Sequence, residues 1–309
     1  MIQINGRCCM LTRSELDKFS YSRLNTFIQC PMKYFLKYVS GNYTEESKLH
    51  LELGNILHKG LEIKYRNIIE GNKQNYTYIK DVITYGIAED TDKDKGRFLN
   101  GITQLKRIYG EESFFEAGNK SGLTYEEKLG IFFDYLEEDH DDDWQPIHVE
   151  FPFSFVFEDR VILEGFIDRI DQNKKGELTV VDYKSSDKRF DQKELATPLQ
   201  MVIYALACRA LFGKVPVEYM YDLILLGDRQ YACTSGFLDR GVKKLHKVLD
   251  EIELCKVTGE WKPKASPLCW WCEFSGHNED NPWYTAGLCE YYSLWSPHNK
   301  TFEKHKEYK

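Results

Sequence analysis

The sequence predicts an α/β protein organised around one central sheet, and three observations lead to that class. Residues 147–157, 161–170, 178–184 and 219–226 carry the alternating or continuous apolar character of strands. Helical-period stretches precede and interrupt them, which is the layering of a sheet covered by helices. A change of texture near residue 146, from charged helical character to alternating Phe151, Phe153, Phe155 and Phe157, marks where the sheet begins.

In chain order, Ser22 to Val39 reads as a short helix, a break at Cys30-Pro31, and a second helix carrying Tyr34, Phe35 and Tyr38. Leu51 to Ile69 places Leu53, Leu57, Leu61, Tyr65 and Ile68 on one helical face. Tyr76 to Asp143 reads as several charged helices ending in the acidic run Glu137–Asp143, a solvated helix end with no apolar frame. The turn signal Asn173-Lys174-Lys175-Gly176 joins the second and third strands of the sheet. A helix opens at Thr197-Pro198 and stops at Gly213, and another spans Asp239 to Val257. From Trp261 onward the chain is loop-like and rich in Cys, Trp and Tyr. The organisation expected is one domain over 1–309, with a helical insertion at 70–145, a catalytic core at 146–260 and a Cys-rich segment at 261–309 tied to Cys30.

Composition narrows the function classes. The chain has 309 residues, 42% hydrophobic and 29% charged, as in ordinary globular proteins. No apolar run reaches bilayer-spanning length, and no basic segment followed by an apolar stretch opens the chain, so a cytoplasmic protein is expected. In that reducing setting the nine cysteines are hydrophobes, ligands or nucleophiles rather than disulfides. A net charge of −8 argues against a protein that coats nucleic acid by bulk electrostatics, but a local basic groove stays compatible with it.

The chemistry concentrates in Glu164–Ile170 and Val180–Lys184. Asp182 and Lys184, two apart on a strand, project from one face. A hairpin centred on residues 174 and 175 sets Asp168 across from Asp182, where opposed Cβ atoms lie roughly 5 Å apart. Two carboxylates at that distance repel unless a cation lies between them. Hard oxygen donors of this kind hold Mg²⁺ or Mn²⁺, and an adjacent lysine offsets charge on a phosphodiester under attack. The set therefore points to metal-dependent phosphodiester hydrolysis, the alternative being ordinary charged residues on an exposed strand.

Gly165-x-x-Asp168, Asp182-x-Lys184 and Gln200-x-x-x-Tyr204 together resemble the RecB-type branch of the PD-(D/E)XK nucleases. That branch includes nuclease domains of bacterial recombination helicase-nucleases and a CRISPR adaptation nuclease. Upstream, the helix ending in Cys30-Pro31 and the Gly54-x-x-x-His58 helix are similar to the family's opening elements. The resemblance covers most of the chain outside 70–145. It implies a restriction-endonuclease-like core, with His58, Asp168 and Asp182 as metal ligands and the Tyr183 carbonyl a further one. It makes Lys184 the catalytic lysine, and Gln200 and Tyr204 a brace beside the site that also contacts DNA. Read without the family, His58 is equally a satisfied helix-face histidine, Gln200 and Tyr204 are equally packing residues, and Glu150 is a solvent-facing strand residue, with an extra acidic ligand as its alternative.

Cys269-x-x-Cys272 has ligand spacing, and Cys289 follows. In the family it resembles, one N-terminal cysteine joins three near the C-terminus around a [4Fe–4S] cluster, which here implies Cys30, Cys269, Cys272 and Cys289. The sixteen residues between Cys272 and Cys289 depart from the family's closer spacing. Zinc with His277 or Cys289 therefore stays open as the alternative. Cys8, Cys9, Cys208, Cys233 and Cys255 lack partners at ligand spacing. The function expected is a DNA exonuclease of recombination, repair or replication acting on substrates with single-stranded ends. The competing reading is a non-catalytic, cluster-stapled nucleic-acid-binding module. No phosphate-binding Gly-x-x-x-x-Gly-Lys-Ser/Thr loop occurs, so a helicase or recombination protein is expected as a separate partner, and no membrane partner is expected.

Overall fold

The computed structural model describes residues 3–4, 7–8, 16–42, 48–91, 94–115, 122–140, 143–185, 188–191, 195, 198–275 and 287–289. The chain divides into two compact units, residues 1–18 with 47–242, and residues 19–46 with 243–309. Among the described residues no helix is long and apolar enough to cross a membrane.

In the second unit, helix α1 (Tyr21–Gln29) is capped by the Ser20 side chain and ends at Cys30. The short helix α2 (Pro31–Tyr34) starts on Pro31, whose missing N–H costs nothing at a first helical position, and a π-helical turn follows over Phe35–Val39. The predicted break at Cys30-Pro31 is thus present.

The first unit holds the sheet. Its principal elements are α3 (Leu49–Ile69), α4 (Tyr76–Tyr85), β1 (Ile87–Thr91), β2 (Asp94–Leu99), α5 (Ile102–Tyr109), α6 (Tyr125–Glu137), β3 (Trp144–Phe157), β4 (Val161–Asn173), β5 (Leu178–Tyr183), α7 (Leu199–Phe212), β6 (Glu218–Leu223) and β7 (Asp228–Cys233). Helix α8 (Leu238–Thr258) then leads into the second unit. Within the first unit, five strands run in the order β7-β6-β5-β4-β3. All neighbours are antiparallel except β5 and β6, which are parallel and joined through α7, as a parallel pair requires a long crossover. This mixed sheet with helices is the α/β class the sequence predicts.

The β3–β4 hairpin turns through Glu158, Asp159 and Arg160, with positive φ at the first two (49° and 52°) and the Arg160 N–H donating to the Phe157 carbonyl at 3.0 Å. The predicted turn before β5 closes through Gly176 N–H donating to the Asn173 carbonyl at 2.9 Å, with Gly176 at φ 77°. Helix α7 is buried almost all round, with Leu199 and the whole of Met201–Cys208 buried, and Gly213 ends it in the left-handed conformation. Pro198 occupies its N-cap position, so the helix starts one residue later than the sequence suggests.

Two features escape the sequence reading. The stretch 76–143 is not helical throughout, because β1 and β2 form an antiparallel hairpin inside it. Strand β7 follows β6 directly where only one strand was expected. The 70–145 segment also contributes to the main core: Ile79, Val82, Ile83, Leu105, Phe114 and Phe132 join Leu53, Leu57, Val181 and Tyr183 in one buried cluster. Each such side chain taken fully from water contributes about 1.5–3 kcal/mol before entropy is counted.

Candidate active site

Four elements of the first unit bring the site together. Helix α3 supplies His58 one turn after Gly54, and a Cβ on Gly54 would lie 3.4 Å from Ser185 Oγ. That distance is ordinary contact, so the helix lies beside the end of β5 without requiring a glycine there. On β4, Gly165 sits opposite Phe153, whose ring would meet an added Cβ at 3.0 Å. Of the two motif glycines, Gly165 is therefore the close-approach position.

Strands β4 and β5 pair from Gln172↔Leu178 to Arg169↔Val181. One further step in that register faces Asp168 with Asp182, as the hairpin argument expects, but the ladder stops short of it. Instead the Tyr183 backbone N–H donates to Asp168 Oδ2 at 2.8 Å. The ladder opens where the carboxylates begin. Asp168 Oδ2 also lies 3.7 Å from His58 Nδ1.

Asp182 is 1% exposed, and both of its carboxylate oxygens have side-chain partners. Gln200 Nε2 donates to its Oδ1 at 2.8 Å, and Lys184 Nζ pairs with its Oδ2 at 2.5 Å. Lys184 Nζ donates in turn to Gln200 Oε1 at 3.2 Å, and Gln200 Nε2 lies 2.8 Å from the Tyr204 hydroxyl. The Lys184 backbone is fixed from β6, its N–H donating to the Asp222 carbonyl at 2.8 Å. Gln200 thus bridges the acid and the lysine, and Tyr204, edge-on to Phe153, backs it.

Glu150, read from the sequence as solvent-facing, instead joins His58 and Asp168. One ligand atom from each of the three lies within 4.8 Å of the other two. It stands on β3 between Val149↔Arg169 and Phe151↔Ile167, hence opposite Asp168, in a left-handed conformation (φ 46°) that redirects the side chain locally. Burial and then Asp168 push its carboxyl up to about 8. Burial, with Asp168 adding to the rise against Lys184, pushes Asp182 up to about 6. Both shifts report negative charge crowded into a poorly solvated place. The signal that identifies Glu150 is the hairpin register running back from Asp168.

In the second unit, Cys30, Cys269, Cys272 and Cys289 line one cavity together with Lys33, Lys264 and Ser266. None of the four is in a disulfide. The Lys264 backbone N–H donates to Cys30 Sγ at 3.3 Å and that of Ser266 to Cys269 Sγ at 3.4 Å. Burial opposes the charge on Lys33, but Glu273 and the sulfurs of Cys272 and Cys30 outweigh it and raise the Lys33 pKa. Burial pushes the Cys272 thiol up to about 11. His277, the alternative ligand, lies outside the described residues. Of the other cysteines, Cys208 is buried in α7 while Cys233 is exposed.

Residues 18–276 match the PD-(D/E)XK nuclease superfamily. The chain is 28% identical over 240 residues to one of the subunits of an ATP-dependent helicase/deoxyribonuclease of Streptococcus agalactiae, an alignment that covers 75% of this chain and 20% of that protein. It is likewise 28% identical over 201 residues to the protein of the same name from Clostridium perfringens, covering 59% of this chain and 16% of the relative. The chain therefore spans about a fifth of the length of these curated relatives or less. With the matched span covering most of the sequence and every motif residue of the site, the chain belongs to the PD-(D/E)XK nuclease superfamily.

Proposed function

We propose that this protein is a metal-dependent deoxyribonuclease that degrades DNA from single-stranded ends, as an exonuclease in recombination, repair or replication. The observation that carries the reading is the meeting of His58, Glu150 and Asp168 at ligand spacing beside the Asp182–Lys184–Gln200 bridge. Ligand bonds of about 2.0–2.1 Å hold donor atoms at most about 4.2 Å apart around Mg²⁺, so donors within 4.8 Å of one another close in by a few tenths of an ångström to grip such an ion. Asp182 and the Tyr183 carbonyl stand next in line as ligands. When bound, the ion polarises the scissile phosphate and eases deprotonation of water.

The chain's own groups do the rest. Lys184, held by Asp182 and Gln200, presents an ammonium that offsets charge developing on the phosphate. Gln200 and Tyr204 keep that ammonium and Asp182 in register and offer polar edges to the DNA. In the second unit, Cys30, Cys269, Cys272 and Cys289 hold a [4Fe–4S] cluster, supported by four thiols outside any disulfide around one cavity, with backbone N–H groups on two of the sulfurs. All-Cys ligation suits such a cluster, and zinc is the alternative occupant. Because the relatives are subunits of helicase/deoxyribonucleases, a helicase is the natural partner class.

End-labelled linear and circular single-stranded DNA, incubated with Mn²⁺ or EDTA, tests the reading. Linear DNA is expected to shorten from an end with Mn²⁺ alone, and the Asp182→Ala protein to bind it without cutting. Binding with no cutting by the wild type under any divalent ion would favour the non-catalytic module instead. An anaerobic preparation without visible colour but with stoichiometric zinc would replace iron–sulfur by zinc.

A further inference from the structure

Behind the carboxylates, on the opposite face of the same strands, lies a second set of residues whose geometry leads back to them. Arg169 follows Asp168 on β4 and so points to the other side of the sheet. It is 2% exposed, and its Nε donates to both oxygens of Asp171 at 2.9 and 3.1 Å. Its Nη1 donates to the Tyr183 hydroxyl at 2.9 Å. The guanidinium lies over the Tyr65 ring, 4.0 Å from its centre, and Tyr65 stacks on Tyr183. Tyr183 is thereby gripped at its ring and its hydroxyl, and His58 meets the same ring edge-on at 5.6 Å. The backbone N–H of this residue is the group that holds the Asp168 carboxylate.

The interactions close a loop: Asp168, its chain neighbour Arg169, the Tyr183 hydroxyl, and the Tyr183 N–H back to Asp168. A buried arginine is costly to desolvate, and packing alone would be served by an apolar side chain. We infer that Arg169, with Asp171 and Tyr183, is a positioning residue that sets the Asp168 carboxylate and the His58 ring for metal binding from the far face of the sheet. Losing partners that orient ligands in this way typically costs about 10–100-fold in metal affinity.

This rests on the metal-site reading above, and the test separates the two. Mn²⁺ binding is measured by the paramagnetic resonance signal of free Mn²⁺ during titration of the full chain. Wild type, Arg169→Lys and Tyr183→Phe are compared, each checked by circular dichroism and by melting in EDTA. Tyr183→Phe keeps the ring against Tyr65 and His58 and removes only the hydroxyl, so it decides the matter if Arg169→Lys does not fold. Mn²⁺ affinity is expected to fall about tenfold in the folded variants. Variants that melt lower yet bind Mn²⁺ within twofold of wild type would overturn the positioning role and leave the metal site standing. A wild-type protein that binds no Mn²⁺ at millimolar concentration would overturn the metal site and this inference together.

Discussion

The two candidate ligand sites are built on opposite principles. In the first unit, carboxylates are fixed by protein partners: Asp168 by the Tyr183 N–H, Asp182 by Gln200 and Lys184. They sit at the ends of strands backed by a buried apolar cluster that includes Val181 and Tyr183. In the second unit, four thiols come from a helix junction, a short 3₁₀ turn and the residues near 289, with Trp261 and Phe274 as the buried apolar anchors downstream of α8. Preorganised ligands raise charge repulsion and gain chemistry. Loop-borne thiols let ligand binding become folding free energy. Removing a ligand should therefore damage function at one site and structure at the other.

The largest expected effect tests the first half of that contrast. Asp168→Ala should slow cleavage of labelled DNA by ~10³-fold or more, as loss of several kcal/mol of transition-state stabilisation requires. Its melting temperature in EDTA should not fall, because the variant also removes a like charge from beside Asp182 and Glu150. A matching loss of stability would erase the distinction between the sites.

Next in size, Cys269→Ser should make the segment after α8 sensitive to limited proteolysis while residues 47–242 stay resistant. Cutting within the first unit at the same rate would show that the cysteines do not act locally. Cys30→Ser should give the same pattern, since the break at Cys30-Pro31 carries the fourth thiol.

Smaller, and dependent on pH, is the response of Glu150. Its folded-state pKa, pushed up to about 8, lies above the ordinary carboxyl value. The folded protein therefore binds more protons than the unfolded chain between those values, and stability from this group is lost as pH rises towards 8. Without metal, Glu150→Gln should melt a few degrees above wild type at pH 8, and the gap should narrow towards pH 5. With Mn²⁺ present the order should reverse. Wild type melting higher than the variant at pH 8 in EDTA would mean that Glu150 is not crowded.

The sequence made some of this architecture legible and hid the rest for physical reasons. Asp168 and Asp182 were readable as a pair because the Asn173–Gly176 turn is short and fixes register over the few residues to the site. Gln200 and Tyr204 share a helix face, so their common environment followed from spacing. Glu150 was read as solvent-facing because its place depends on a second, longer hairpin turning at Glu158 and Asp159, and on its own left-handed conformation (φ 46°). Strands β1 and β2 are rich in Glu, Asp, Lys and Arg and show no apolar alternation. Strand β7 is a half-exposed strand whose polar residues resemble loop. Arg169 was visible inside a motif, but that it faces Tyr183 rather than the carboxylates emerges only from the pleat.

The most direct test of the central claim is where a divalent ion binds. Crystals grown with Mn²⁺ at a concentration that supports cleavage should show an anomalous-scattering peak in bonding distance of His58, Glu150 and Asp168, and Asp168→Ala crystals should lose it. Wild-type crystals with no peak among those three side chains, at metal concentrations where DNA is cut, would contradict the account.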